Sequence, residues 1–187
     1  MRSGKYYWEF LVSGHTRTSL GISYSIMGAA NYGDEYHRAG DYGLACESTT
    51  QTKFASQSYT SVSYLSSAYA VTDVIGVAFD ADNGTLYISK NGVWGNSGNP
   101  ATGTNPLISS IPTANYVPFW AGGGDYPSSA TLQGSFNFGQ RPFTYTPPTG
   151  FKSLCTYNLP TPTIKQGNKH MDISLWTGDG SYPRSIT

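Results

Sequence analysis

The residues that could do chemistry in this chain are few and badly spaced for catalysis. His15, His37 and His170 are its only imidazoles, and no His-Glu-x-x-His or Gly-x-Ser-x-Gly pattern surrounds them to hold a metal or activate a nucleophile. A Ser-His-Asp triad is defined by geometry and could assemble from distant residues, but surface hydrogen bonding explains each histidine more simply. Hydrolysis of a glycan would need two carboxyl groups roughly 5 to 9.5 Å apart across a groove. Glu9, Glu35, Glu47 and Asp125 are the acids outside obvious turns, and no spacing pairs them. Asp80 and Asp82 form an Asp-x-Asp after an apolar run, a pattern that can hold a metal and a nucleotide sugar. As a calcium loop it is off register, because Gly84 and Thr85 stand where an Asp or Asn and a Gly are wanted. Turn formation accounts for both carboxylates, which cap nearby N–H groups. No catalytic residue, cofactor or metal is therefore expected.

Recognition is the chemistry the chain is equipped for. Trp94 follows a tight turn in a Gly/Asn loop, and Trp120 precedes a run of glycines leading to Asp125 and Tyr126. Tyr32 and Tyr36 lie in a long Gly/Ala/Asn segment. Tyr32, Tyr36, Trp94, Trp120, Asp125 and Tyr126 are the candidate ligand-binding rim. Trp94, Trp120 and Tyr126 are expected to share one exposed aromatic patch with part of the loop at 31–37. Flat rings cover C–H surfaces at little entropic cost, while Ser, Asn and Asp satisfy hydroxyls or amides, a mixture suited to carbohydrate or peptide. The competing reading is that these rings pack loops or meet another subunit.

The elements that must position these residues read as short antiparallel strands. Between 73 and 92, Ile75, Val77 and Phe79 share one face and Leu86 and Ile88 share one face of the next run. Asn83-Gly84 and Asn91-Gly92 supply the positive φ that hairpins need. At 6–12, Tyr6, Trp8, Phe10 and Val12 form the better core face, opposite Tyr7, Glu9 and Leu11. Further strands are expected at 18–23 and 44–46, in short polar-faced pieces within 50–72, and at 107–111, 116–121 and 130–138. With Gly/Pro turns and no convincing helix of about ten residues, two packed antiparallel sheets forming a β-sandwich are the natural fold.

Composition narrows the setting. Charged residues make up 12% of the 187, about half of the roughly 25% usual in soluble domains, yet aromatics reach 14%, so a core is affordable and disorder is not expected. The net charge is zero, and Asp125 is the sole charge between Lys90 and Arg141. Nothing here would grip nucleic acid or an anionic membrane. A surface of Ser, Thr, Asn, Gly and Tyr suits a protein held in an assembly or exposed outside a cell. No run approaches the roughly 18 apolar residues of a membrane span, and the first residues lead straight into a strand, so no secretory leader is expected. Cys46 and Cys155 match no zinc or redox spacing and read as small buried thiols, with a bond between them left open. From 144 on, prolines at 147, 148, 160 and 162 forbid a sustained helix, and Phe151, Leu154 and Leu159 are too few for a core. Residues 1–143 thus form the sandwich, and 144–187 an extended tail, anchored along it or along a neighbour, that leads toward a further module.

Several blocks carry a family resemblance. Gly4-Lys5-Tyr6-Tyr7-Trp8-Glu9-Phe10 followed by Gly21-Ile22-Ser23 resembles the opening of SPRY domains. The central hairpin at 74–92, Tyr116-Val117-Pro118-Phe119 and the closing block from Phe136 to Phe143 resemble its later strands. The resemblance implies a bent, concanavalin A-like antiparallel β-sandwich that binds through loops at one end, with no catalytic residues to carry over. An upstream β segment usual in fuller members is expected to be missing before Gly4. The block from Pro147 to Thr156 with Asn158-Leu159-Pro160-Thr161-Pro162 resembles the ending of SPRY modules in bacteriophage structural proteins, with a further module opening near Trp176. That likeness implies a virion component on the particle exterior, in a fibre, tail or capsid appendage. Its partners would be other virion proteins and further copies of itself, with a host-surface glycan or protein as ligand. The alternatives are an intracellular SPRY adaptor gripping a partner peptide and a glycan-processing enzyme on a concanavalin-like sandwich.

Overall fold

The computed structural model describes residues 1–14, 17–24, 39–47, 49–122, 133–155 and 158. Among them there is no α-helix, only strands and a single 3₁₀ turn at Gly95–Ser97. One sheet runs β10 (Gln133–Asn137), β1 (Lys5–Gly14), β6 (Val74–Asp80), β7 (Thr85–Lys90), β8 (Val93–Trp94), and β11 (Lys152–Ser153) also pairs with β1. The other runs β5 (Ser58–Ser61), β4 (Thr50–Ala55), β3 (Asp41–Glu47), β2 (Arg17–Ser23), β9 (Val117–Gly122). Every pairing is antiparallel except β1 with β11. The β-sandwich expected from the sequence is the fold.

Alternation decides what lies between the sheets. On β1, Tyr6, Trp8, Phe10 and Val12 enter one continuous core with Leu20, Ile22, Leu44, Ile75, Val77, Phe79, Leu86 and Ile88. The hairpin β6–β7 pairs Val77 with Ile88 and Phe79 with Leu86, as the period-two pattern requires. Asn91 and Gly92, at φ 48° and 80°, form the two-residue turn into β8, with both φ values in the left-handed region a type I′ turn demands. The strand expected at 107–111 reduces to one bridge, Leu86 with Ile108, because Ser110 at φ 60° breaks the extended run just before Pro112. Cys46 is fully buried, Cys155 is half-buried, and no disulfide joins them; burial pushes Cys46 up to about 11.

The odd positions of β1 build a second, smaller cluster on the outer face of that sheet. Tyr7, Ala78, Tyr87 and Phe151 are buried there, with Trp94 and Phe143 packed against them. Residues 143–153 supply the cover, and β11 runs beside Tyr6 and Tyr7. Glu9, 2% exposed, fastens this segment: its carboxylate accepts the Thr144 N–H at 2.9 Å, the Tyr145 N–H at 2.8 Å and the Tyr7 hydroxyl at 3.1 Å. The anchoring role expected of Phe151 is thus carried out on the sandwich itself.

Asp80 acts as the turn residue its position suggested. It accepts the N–H groups of Asp82 and Asn83 at 3.1 Å each, the Asn83 side-chain amide at 2.7 Å and Lys5 Nζ at 3.0 Å. Asp82 accepts the Gly4 N–H at 2.8 Å. Burial alone would raise the Asp80 carboxyl, but the Asn83 and Lys5 bonds outweigh it and hold it below its ordinary 3.8. Asp73 is lowered in the same way, against burial, by Lys90 and Asn91. Because both folded values lie below the unfolded ones, this stabilisation is complete above about pH 4 and is lost as pH falls through the folded values. Acid titration of unfolding should therefore show a loss below about pH 4 that is reduced in Asp80→Asn; an acid limb identical in the two proteins would refute the assignment.

Candidate functional site

The strand register fixes where each long loop is rooted. The chain leaves β2 at Ser23, which faces both Asp41 of β3 and Val117 of β9, at the end of the sandwich that also holds the β6–β7 turn. Residues 25–38, with Tyr32 and Tyr36, lie outside the described residues and are rooted at this end. At the opposite end Gly122 faces Thr18, and Gln133 faces Gly14. Residues 123–132, with Asp125 and Tyr126, also lie outside the described residues and are rooted there, at the end that holds Asn91 and Gly92. Four of the six sequence-chosen residues are thus carried by loops rooted at opposite ends.

The two tryptophans are likewise separated. Trp94 sits on the edge strand β8 and joins the outer-face cluster, edge-on to Tyr7 at 6.3 Å and Tyr87 at 6.5 Å. Trp120 faces the core from β9, with ring centroids 5.0 Å from Phe10 and 6.3 Å from Phe136. One patch containing both rings, as the sequence suggested, is not formed. Alternation on β9 explains it: Trp120 lies opposite Leu20, whose face is the core.

A tyrosine ladder that sequence reasoning passed over emerges instead at the end where Ser23 leaves the sheet. Phe79 in the core meets Tyr116 at 5.5 Å, and Tyr116 meets Tyr42 at 5.9 Å and Tyr24 at 6.4 Å, all close to edge-on. Tyr24 is 57% exposed, and Val117 beside Tyr116 is 40% exposed. The base of the ladder is fixed: the Tyr116 hydroxyl donates to the Pro112 carbonyl at 2.9 Å, and the Tyr116 backbone pairs with Met1 in both directions. Burial, then the Tyr42 and Tyr24 hydroxyls, push Tyr116 up to about 12, so it stays a neutral donor. The signal was present, since Leu20, Ile22 and Tyr24 share one face at period two, and Tyr24 carries that face one step beyond the sheet.

Of the acids considered for hydrolysis, the two described ones, Glu9 and Glu47, lie on different sheets. Glu9 is committed to the segment at 144–145, Glu47 is exposed at the end of β3, and Glu35 and Asp125 lie outside the described residues. Among the described residues no group of three His, Cys, Asp or Glu could hold a metal ion, and no helix is long and apolar enough to cross a membrane. The site offers rigid aromatic faces and hydroxyls, which favour binding.

Comparison with known proteins agrees with this geometry. Residues 5–103, just over half of the chain, match the family profile described as SPRY domain. The SPRY domain of human HERC1 is similar in structure, with TM-score 0.54 and 15% identity over 76% of this chain and 79% of that one. The TRIM65 PSpry domain gives TM-score 0.47 and 17% identity over 64% of this chain and 58% of that one. No curated protein sequence matches.

Proposed function

This chain belongs to the SPRY domain family, and we propose that it is a non-catalytic binding module of a bacteriophage virion protein, meeting a host-surface protein or glycan through tyrosine-rich loops. The observation that carries the binding reading is the ladder from Phe79 through Tyr116 to Tyr24, which presents an exposed ring on a base locked into the core. Rings held this way bind with little loss of side-chain freedom, and they root the loop that carries Tyr32 and Tyr36. The virion setting is supported by the tail from Pro147 to Pro162 and by a neutral surface with a single charge between Lys90 and Arg141. An adaptor gripping a partner peptide would use the same ladder, and the family match fits it as well; neighbouring reading frames separate the two.

Mass spectrometry of purified virions should find the chain, or a longer parent, as a stoichiometric component, and its absence would remove the virion claim. The binding claim is tested with the purified chain on host cells. Tyr24→Ser should weaken attachment by about 1 to 2 kcal/mol with little change in melting, since the ring is more than half exposed. Undiminished attachment would move recognition away from this end.

A further inference from the structure

We infer that a cleft on the β8 edge is a second recognition site, which takes a neutral sugar unit. This deepens the binding-module reading and rests on it. The cleft has a volume of about 340 Å³, at the lower end of the roughly 300 to 1,000 Å³ of small-ligand pockets. Ser63 and Ser66 line one wall, Asn96 and Ser97 the other, with Val93 and Trp94 beside them.

The walls are tied to each other. The Asn96 N–H donates to the Tyr64 carbonyl at 2.7 Å, and the Tyr64 ring lies so close to Gly95 that a Cβ there would stand 2.2 Å from it. Asn96 and Ser97 are held at φ 50° and 54°, left-handed backbone that is uncommon outside glycine and clusters at ligand sites.

Charge and hydrogen bonding select the ligand class. Lys90 is the one cation on the lining, and its ammonium is spent on Asp73 at 2.9 Å and on Ser67 Oγ and the Ala68 carbonyl at 2.7 Å each. A phosphate, sulfate or carboxylate would find no uncommitted cation there to offset the cost of its desolvation. The side chains of Ser63, Ser66, Asn96 and Ser97 hydrogen-bond to none of the described residues, so their hydroxyls and amide remain for a ligand rich in hydroxyls. Val93, 68% exposed, and half-buried Trp94 supply the apolar surface that the C–H side of a sugar ring covers.

The test titrates the isotopically labelled 187-residue chain with neutral hexose and N-acetylhexosamine trisaccharides, with sialylated and sulfated counterparts and extended peptides in parallel. Neutral sugars should shift the amides of residues 63–66 and 95–97 in a saturable way. Asn96→Gly suits the left-handed backbone and should keep the melting temperature while weakening binding by about two- to tenfold, one hydrogen bond's worth. Unmoved amides at saturating neutral sugar, a stronger response to anionic sugars or to peptides, or full affinity in Asn96→Gly would each overturn the proposal. Shifts confined to Tyr24, Tyr42 and Tyr116 would overturn this cleft while leaving the binding-module reading intact. Failure of every ligand at both sites, together with undiminished cell attachment of Tyr24→Ser, would count against both.

Discussion

Glu9→Ala should destabilise the protein by about 3 kcal/mol, because three donors lose a buried acceptor at once. The Thr144 and Tyr145 N–H groups and the Tyr7 hydroxyl all end on this one carboxylate, which is only 2% exposed. Leaving one buried donor unsatisfied costs roughly 1 to 3 kcal/mol, and water reaching the Thr144 side relieves part of the total. Tyr7 cannot compensate by ionising, since burial, the largest cause that raises its hydroxyl above the ordinary tyrosine range, remains when Glu9 is removed. Glu9→Gln keeps one acceptor oxygen and should fall between the wild type and Glu9→Ala. Urea unfolding of the three proteins gives the energies, and amide exchange at Thr144 and Tyr145 shows whether the loss is local. If Glu9→Ala unfolds within about 0.5 kcal/mol of the wild type, the segment at 143–153 is held by Phe143, Phe151 and the β11 pairing without help from Glu9.

That fastening marks where the sequence stops being readable. The inward face of β1, the β6–β7 hairpin and the Asn91-Gly92 turn follow from local alternation and turn chemistry, so they could be read without coordinates. Tyr7 and Glu9 fall on the polar-looking face of β1, which by alternation alone should meet water. They are buried because a segment 135 positions later returns to cover them, and no local pattern carries that information. The same limit applied to the aromatic rings: Tyr24 continues the face of Leu20 and Ile22 but was passed over, and Trp120, within the strand expected at 116–121, was assigned to an exposed rim because glycines follow it, whereas its pairing opposite Leu20 turns it inward. Serine at φ 60° within the run at 107–111 was equally invisible, since nothing in Ser109-Ser110 demands a left-handed backbone.

Trp120→Ala should cost about 3 kcal/mol of stability, the lower part of the range for removing a large aromatic side chain, because the ring is only partly buried. The ring stands at a junction of both sheets: Trp120 comes from the five-stranded sheet, while Phe10 and Phe136, 5.0 Å apart, come from the other, and Phe138 stacks on Phe136 at 4.9 Å. Among the described residues these ring contacts join β9 to β1 and β10. They also set the distance between Gly122 and Gln133, the two roots of the loop that carries Asp125 and Tyr126. A binding defect in Trp120→Ala would consequently be ambiguous by itself. Trp120→Phe separates the possibilities, since a smaller ring retains most of the packing against Phe10 and Phe136 but removes the indole. If Trp120 acts by holding the loop roots, Trp120→Phe should restore both melting temperature and attachment to host cells. Restored melting with attachment still lost would make the indole itself a recognition element, and an unchanged melting temperature in Trp120→Ala would show that the sheets are joined without it.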